Sequence, residues 1–360
     1  MACGLGVGSS TWHCYPGENG LEVELRQILE VRELCVAYSA RGGGVWRALT
    51  GVSFAVAAGE ILAVLGESGS GKSTLAASLM RLLPRNARIT GGEILLEGAD
   101  ITRMSAMQLR RVRGSGISII FQEPSLALHP TIRVGEQIGE VLRAHGTAGS
   151  RERVERTRGI LAKVFSGDVE RIYSSYPHEL SGGQQQRVLI AQAIACEPAL
   201  VVADEPTASL DTSTQREMLT LFKRLRDDLG IAFIFITHNP ALLAGFADRV
   251  LVLYAGKVAE VGPTHELLFA AQHPYTQALL KCVPQVDGGQ AGQAAQRKSL
   301  LPVIAGVPPS LAVLSQGCVF EPRCQDRMEM CQVRDPAPTM LGGSHEVACL
   351  KFPPSGARAI

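Results

Sequence analysis

Residues 66–73 read Gly66-Glu67-Ser68-Gly69-Ser70-Gly71-Lys72-Ser73. An apolar run precedes them at residues 61–65, and a helical pattern follows from Thr74. Strand, glycine-rich turn, Lys-Ser and helix are the parts of the phosphate-binding loop of nucleoside triphosphatases. The glycines allow backbone N–H groups and the helix N-terminus to face phosphates. We therefore predict that this loop and Thr74 bind a nucleotide, with Lys72 near the β and γ phosphates and Ser73 on Mg²⁺.

The composition is that of a globular protein with one large or two modest domains. The 360 residues are 46% hydrophobic and 19% charged, and the net charge is +1, so charge gives no argument for nucleic acid as a partner. The first 20 residues lack a secretory signal, and the uncharged stretches 231–247 and 299–320 are interrupted by prolines and do not resemble membrane spans. We expect a cytosolic protein, with residues 1–24 as a disordered leader.

Residues 25–58 show the alternation and turn residues of β-strands. Tyr38 lies in this region, upstream of the phosphate loop, where an aromatic ring can stack on a nucleotide base. Trp46 is an alternative for the same role, and an ordinary half-buried strand position is an alternative for both residues.

Carboxylates follow a second apolar strand, predicted at residues 199–203. Parallel strands bring such residues to the carboxyl edge of a sheet, where ligands bind in open α/β folds. We expect Asp204 to hold Mg²⁺ and Glu205 to orient and deprotonate the attacking water. His238 ends a further buried strand, residues 231–237, at the same edge. We therefore assign it a contact with the γ-phosphate in preference to a structural role.

A capped helix is predicted after Leu180. Ser181 is its N-cap, and apolar residues recur at helical spacing over residues 188–195. Gly182-Gly183 at a capped N-terminus is a second surface that faces anions, although many helices begin in this way.

Together these residues resemble the ATP-binding cassette (ABC) ATPases. The match covers residues 25–265 and contains six elements in order: the loop at 66–73, Gln122, a signature at 180–184, Asp204-Glu205, Asp211 and His238. The resemblance implies an α/β fold with a RecA-like core, an antiparallel β subdomain and a helical subdomain. It implies ATP and Mg²⁺ as ligands, with Gln122 linking Mg²⁺ to the helical subdomain that contacts a transmembrane permease. It also implies head-to-tail pairing with a second cassette, a copy or a paralogue, so that Ser181 and Gly183 cap the ATP of the partner.

The tail, residues 266–360, extends the resemblance to the C-terminal extension of oligopeptide and dipeptide importer ATPases. Three runs carry it: His273-Pro274-Tyr275-Thr276, Ile304-Ala305-Gly306-Val307-Pro308-Pro309 and Gly317-Cys318-Val319-Phe320-Glu321-Pro322-Arg323-Cys324. The implied protein is a peripheral ATPase subunit on the cytoplasmic face of the cell membrane. It powers import of peptides or related small solutes, with an extracytoplasmic solute-binding protein as an indirect partner. We expect His273 itself to begin a helix and to have no chemical role.

Two positions depart from the family pattern. Asn239 stands where the family commonly has Asp beside the switch histidine, and residues 126–130, Leu-Ala-Leu-His-Pro, replace a more usual Ser-Leu-Asn-Pro ending. Neither removes a catalytic group. The second lies on the surface expected to face the permease.

An alternative function is that of a cassette ATPase of DNA repair or chromosome maintenance. Members with hinge arms need long heptad repeats between the phosphate loop and the signature, and residues 66–181 show none. Members with zinc modules carry two cassettes, and this chain has one. A third alternative, a sensor with an inert cassette, is disfavoured by intact Lys72, Glu205 and His238.

Four of the nine cysteines lie close together in sequence in the last part of the tail: Cys318, Cys324, Cys331 and Cys349. In a reducing compartment, clustered thiols indicate a metal more readily than disulfides. Zn²⁺ and an iron–sulfur cluster both accept four thiolates, and four unliganded thiols are the remaining alternative. The spacing is wider than the Cys-x₂-Cys of zinc ribbons. That spacing, and the resemblance to importer ATPases that hold such a centre, favour a [4Fe–4S] cluster with a structural role.

Overall fold

The structure is a computed structural model that describes residues 26–39, 43–146, 149–282, 303–309 and 316–352. It also describes the backbone of two short antiparallel strands in the predicted leader, Tyr15–Pro16 and Glu22–Val23. The rest of the leader lies outside the described residues, so its predicted disorder stays a prediction.

The strands of the described chain are, in order, β1 (Tyr15–Pro16), β2 (Glu22–Val23), β3 (Gln27–Ser39), β4 (Val45–Ala57), β5 (Ile61–Leu65), β6 (Ala87–Leu96), β7 (Ala99–Asp100), β8 (Ile117–Ile120), β9 (Leu200–Asp204), β10 (Ala232–Thr237), β11 (Arg249–Tyr254), β12 (Lys257–Pro263), β13 (Thr339–Gly342) and β14 (His345–Val347). The α-helices are α1 (Lys72–Leu79), α2 (Ala106–Val112), α3 (Pro124–Ala127), α4 (Val134–Ala144), α5 (Ser150–Val164), α6 (Val169–Ser174), α7 (Gly182–Ile194), α8 (Thr212–Leu229), α9 (Thr264–Ala270) and α10 (Pro274–Lys281).

The central sheet has the strand order β13-β14-β12-β11-β5-β10-β9-β8. The five strands from β11 to β8 are parallel, and their register brings the carboxyl ends of three of them level: Leu65 pairs with Thr237, and Ile236 with Asp204. The segments that follow β5, β9 and β10 therefore begin at one edge of the sheet, as predicted for the phosphate loop, Glu205 and His238.

Both faces of this sheet are covered, and alternate residues of one strand face opposite layers. Phe233 and Phe235 of β10 belong to one apolar core, in which Phe222 of α8 packs edge-on against both rings. Ile234 and Ile236 belong to the other core, with the interior of the antiparallel sheet. All residues of β5 are buried, so the phosphate loop starts from a rigid strand.

Two further layers complete the predicted architecture. A four-stranded antiparallel sheet has the order β4-β3-β6-β7, and the helices α3 to α7 lie in the chain between β8 and β9. The prediction of an α/β cassette with an antiparallel β subdomain and a helical subdomain is confirmed. Among the helices in the described part of the chain, none combines the length and apolar character needed to cross a membrane.

The tail continues the central sheet. Strand β14 pairs with β12, and β13 pairs with β14, through Glu260–Val347 and Met340–Glu346 among other pairs. Helix α9 spans the predicted domain boundary between residues 265 and 266. The boundary stays a prediction.

Candidate nucleotide-binding site

The phosphate loop requires glycine at two described positions. A Cβ atom on Gly66 would lie 2.3 Å from the Leu253 carbonyl oxygen and 2.6 Å from Ser70 Oγ. Gly71 has a φ of +107°, and a Cβ there would lie 2.9 Å from the Ala48 carbonyl oxygen. These contacts exclude side chains, so the backbone can fold tightly between β5 and α1.

Lys72 begins α1 and is buried. Its Nζ donates to the carbonyl oxygens of Gly66 and Glu67 at 2.8 and 2.9 Å. Burial lowers the pKa of Lys72, and the charges of Glu205, Asp204 and Glu67 oppose that shift. The ammonium group is thus held inside the curve of the loop with three carboxylates around it.

Asp204 and Ser73 form the part of the site suited to a cation. Burial raises the pKa of Asp204, the Ser73 hydroxyl hydrogen bond lowers it, and the charge of Glu205 raises it further. Asp204 Oδ1 is buried without a hydrogen-bond partner among the described residues. An unpaired buried carboxylate oxygen beside a serine hydroxyl matches the oxygen ligands that Mg²⁺ prefers.

The Glu205 side chain contacts residues that follow two other strands, β8 and β10, at the carboxyl edge of the central sheet. Gln122 Nε2 donates to its Oε2 at 3.3 Å, and His238 Nδ1 lies 3.2 Å from its Oε1. The Glu205 backbone has a φ of +47°, a conformation that non-glycine residues adopt at a cost and often at functional sites. The structure thus brings together three residues that lie 83 and 33 positions apart in the chain.

A cleft of about 730 Å³ opens above these groups. Its lining consists of Tyr38, Trp46, Ala48, Ser68, Gly69, Gly71, Lys72, Ser73, Thr74, Gln122, Glu205 and His238. Tyr38 and Trp46 are direct partners on β3 and β4, and the Tyr38 hydroxyl lies 3.2 Å from Thr74 Oγ1. Both aromatic candidates therefore line the cleft, and the choice between them stays open.

Ser181 caps α7, as predicted. Its Oγ accepts the Gln184 N–H at 3.3 Å, and its own N–H donates to Gln184 Oε1 at 3.1 Å, which is a capping box. Within the described chain, neither Ser181 nor Gly183 lines the cleft. Their predicted role on the nucleotide of a partner stays a prediction.

His273 has the structural role that the sequence predicts. It caps α10 through Nδ1, which accepts the Tyr275 N–H at 3.0 Å, and burial lowers its pKa to about 4. Asn239, the departure beside the switch histidine, accepts the Ala241 N–H at 3.0 Å and so begins a 3₁₀ turn. This is a local role for the amide.

The tail cysteines lie near one another. Burial, with repulsion from Cys331 and Cys349, raises the pKa of Cys318 to about 11. Burial also raises the pKa of Cys324 and of Cys349, again with a contribution from neighbouring thiols. All cysteines of the described residues are free. In that part of the chain, no three His, Cys, Asp or Glu side chains stand close enough together to hold one metal ion.

Sequence reasoning missed two tail residues that contact the phosphate loop. The Tyr275 hydroxyl accepts the Glu67 N–H at 2.8 Å, and Arg323 pairs with the Glu67 carboxylate. Tyr275 and Arg323 both stand in the runs quoted above for the tail resemblance. Those runs contain no local sequence pattern that predicts a contact with a residue more than 200 positions away.

Comparison with known proteins agrees with this geometry. The family model described as ABC transporter matches residues 49–208, and the model described as Oligopeptide/dipeptide transporter, C-terminal region, matches residues 259–331. The dipeptide transport ATP-binding protein DppD of Bacillus subtilis (strain 168) is 41% identical over 326 residues, which cover 90% of this chain and 95% of that relative. The chain belongs to the ATP-binding subunits of ABC transporters. The predicted family and the predicted ATPase class are confirmed.

Two further comparisons describe the extent of this ABC subunit's similarity. The oligopeptide transport ATP-binding protein OppD of Escherichia coli (strain K12) is 40% identical over 324 residues, which cover 90% of this chain and 93% of OppD. The MJ0796 ABC transporter cassette, solved as a dimer, superposes with a TM-score of 0.58 at 29% identity, and covers 66% of this chain and 98% of that one. The solved cassette therefore covers about two thirds of this subunit.

Proposed function

We propose that the chain is the ATP-hydrolysing subunit of an importer for peptides or related small solutes. The observation that carries the proposal is the convergence of Lys72, Ser73, Gln122, Glu205 and His238 on one cleft in a chain whose tail matches the peptide-transporter extension. DppD and OppD, which this chain resembles over nine tenths of its length, are named for dipeptide and oligopeptide transport. We place the chain peripherally on the cytoplasmic face of the membrane, with permease subunits as its direct partners.

ATP and Mg²⁺ are the ligands of the proposed site. Lys72 supplies positive charge to the β and γ phosphates, and the loop from Gly66 to Thr74 supplies backbone N–H groups. Ser73, Gln122 and Asp204 hold Mg²⁺, and the unpaired Asp204 Oδ1 supports that assignment. When bound, Mg²⁺ neutralises phosphate charge.

Glu205 acts as the general base in this proposal, and His238 contacts the γ-phosphate. The distances of 3.3 Å to Gln122 and 3.2 Å to His238 fix the Glu205 carboxylate beside both residues. A carboxylate in this position can orient a water molecule and accept its proton. Gln122 also begins the segment that leads into α3, so the carboxylate contacts a residue that connects to the helical subdomain.

Pairing with a second cassette completes the site. Ser181 and Gly183 lie outside the cleft of their own chain, and the solved MJ0796 cassette is a dimer. We infer that these residues cap the nucleotide of a second copy or a paralogue. The permease contacts the surface around Gln122, where Phe121 and Leu126 are 49% and 81% exposed. A solute-binding protein delivers the cargo.

The tail thiols are proposed to hold a [4Fe–4S] cluster. Burial raises the pKa of Cys318, Cys324 and Cys349, and the neighbouring Cys331 thiol contributes to each of these shifts. A four-iron cluster is several ångströms across, so its four thiolates stand further apart than the ligands of one Zn²⁺. The sequence spacing of the four cysteines, wider than the Cys-x₂-Cys of zinc ribbons, favours the cluster over zinc. Its role is to fix the tail.

Co-purification with transport components tests the function. The tagged chain, recovered from membranes of its own host, is expected to bring permease subunits with it. In vesicles that contain ATP, the assembly should take up a labelled peptide mixture supplied outside together with the solute-binding protein. Lys72→Ala is the matched control, because it should assemble equally but support no uptake. Recovery with DNA or ribosomes, or an assembly that hydrolyses ATP without moving peptides or other small solutes, would contradict the proposal.

A further inference from the structure

Arg323 connects the tail to the phosphate loop. It lies in a 3₁₀ turn, Glu321–Arg323, directly before Cys324. Its Nη1 donates to Glu67 Oε2 at 2.7 Å, and its Nη2 donates to Glu67 Oε1 at 3.1 Å. Glu67 is the second residue of the phosphate loop and stands 256 positions earlier in the chain. This bidentate contact is the Arg323–Glu67 pair.

The pair is not an ordinary surface ion pair. The Arg323 side chain is 4% exposed and that of Glu67 is 24% exposed. The guanidinium also donates to the Tyr254 hydroxyl at 3.2 Å and to the Ala305 carbonyl oxygen at 3.0 Å. Surface pairs contribute little, whereas removing one partner of a buried pair leaves an uncompensated charge.

Aromatic packing fixes Arg323 relative to the loop. Phe320, which is buried and stands three residues before Arg323, packs on Tyr254 and Tyr275 with ring centroids 5.1 and 5.4 Å apart. Tyr275 in turn accepts the Glu67 N–H at 2.8 Å. The tail therefore holds Glu67 by its backbone and by its carboxylate at the same time.

Glu67 is also coupled to the nucleotide site. Its carbonyl oxygen accepts from Lys72 Nζ at 2.9 Å, and its carboxylate charge acts on Lys72. An unpaired carboxylate here would repel the phosphates of a bound nucleotide. Arg323 neutralises that charge and fixes the peptide group that faces Lys72.

We propose that Arg323 is a positioning residue of the ATP site, so that nucleotide affinity depends on the tail through the Arg323–Glu67 pair. The proposal rests on the nucleotide-binding function proposed above. It assigns the tail a role in ATP binding that goes beyond anchoring the tail itself.

The test measures the affinity of the full chain for a fluorescent ATP analogue in the presence of Mg²⁺. Arg323→Gln should raise Kd about tenfold, the ratio that corresponds to about 1.4 kcal/mol. The double variant Arg323→Gln/Glu67→Gln should recover most of that affinity, because the repelling carboxylate is gone. In the assembled transporter, Arg323→Gln should raise KM more than it lowers kcat. Arg327→Gln is the matched control, since Arg327 lies in the same tail, is 64% exposed and pairs only at 3.9 Å with Glu321.

Two results would overturn the proposal. One is wild-type affinity in a folded Arg323→Gln variant. The other is an equal loss in the single and double variants, which indicates structural damage without the charge effect. If Arg323→Gln does not fold, Arg323→Lys provides the measurement, and wild-type affinity in Arg323→Lys then counts against the proposal. If the wild-type chain itself fails to bind the analogue, the proposed function fails and this inference fails with it.

Discussion

The Glu205 carboxylate lies between an amide and an imidazole that come from different elements, at 3.3 and 3.2 Å. Both neighbours can hydrogen-bond to the carboxylate and so fix its orientation toward the cleft. Its left-handed backbone conformation, φ +47°, directs the residue away from the path of β9. At the scale of single residues, this arrangement assigns the chemistry to Glu205 and the binding to Lys72.

Glu205→Gln should therefore keep ATP binding and lose hydrolysis by about 10²–10⁴-fold, the usual contribution of a general base. Turnover and analogue binding are measured on the assembled complex. Glu217→Gln, on the exposed side of α8, is the matched control and should leave both unchanged. Lys72→Ala should instead weaken binding itself. Near-normal turnover in Glu205→Gln would contradict the assignment.

Some residues of this site could be identified from the sequence alone, and others could not. The phosphate loop, Asp204 and Glu205 were predictable because each motif is contiguous and follows a strand. The partners of Glu67 were not predictable. A Glu at the second loop position and an Arg before a tail cysteine carry no local sign that they meet. Their pairing depends on how α10 and the tail pack against β11, which no periodicity records.

At the scale of elements, the tail hairpin β13–β14 extends the central sheet by strand pairing. A buried group of charged side chains adds a second contact between this hairpin and the cassette. His345 Nε2 lies 2.8 Å from Glu260 Oε1, and His345 Nδ1 lies 3.2 Å from Glu266 Oε2. Glu260 also accepts the N–H groups of Gln272 and His273. The hydrogen bond to Glu260 raises the pKa of His345 above its ordinary value of 6.5. The pKa of Glu260 is lowered overall. Burial acts to raise it, but the hydrogen bonds that the carboxylate accepts have the larger combined effect.

The sign of the pH effect follows from this raised pKa. His345 contributes stability that is fully present below pH 6.5 and is lost as the pH rises through its folded-state pKa. Each unit of raised pKa corresponds to about 1.4 kcal/mol. We predict that amide protection of β14, corrected for intrinsic exchange, falls as the pH rises above 6.5 and through the raised pKa of His345.

Hydrogen exchange on His345→Gln should show less protection at lower pH and little pH dependence. His178→Gln, an exposed histidine of the helical subdomain, is the matched control and should retain the wild-type profile. An unchanged pH profile in His345→Gln would assign the effect to another group.

At the scale of the whole molecule, two of the contacts between the tail and the cassette reach different parts of the cassette. The β14–β12 pairing extends the sheet, whereas Phe320 and Arg323 reach the phosphate loop. Two of the four clustered cysteines flank the second connection in sequence, since Cys318 precedes Phe320 and Cys324 follows Arg323. Cys318 also donates its N–H to the Cys331 carbonyl oxygen at 2.8 Å. A group that fixes these thiols therefore also fixes the residues that contact the loop.

A [4Fe–4S] cluster on these thiols would be visible in the purified protein. Protein purified without oxygen should be brown and contain about four iron and four sulfide per chain, as four thiolate ligands imply. Cys324→Ser should lose colour and iron and loosen the tail. The cassette should stay folded, because Cys324 only borders one of the two cores and both consist mainly of cassette residues. Cys196→Ser is the matched control, since Cys196 lies after α7, away from the tail, and should leave the iron content unchanged. Colourless anaerobic protein with one zinc ion or no metal would contradict the cluster. Equal iron in Cys324→Ser and in the wild type would remove Cys324 from its ligands.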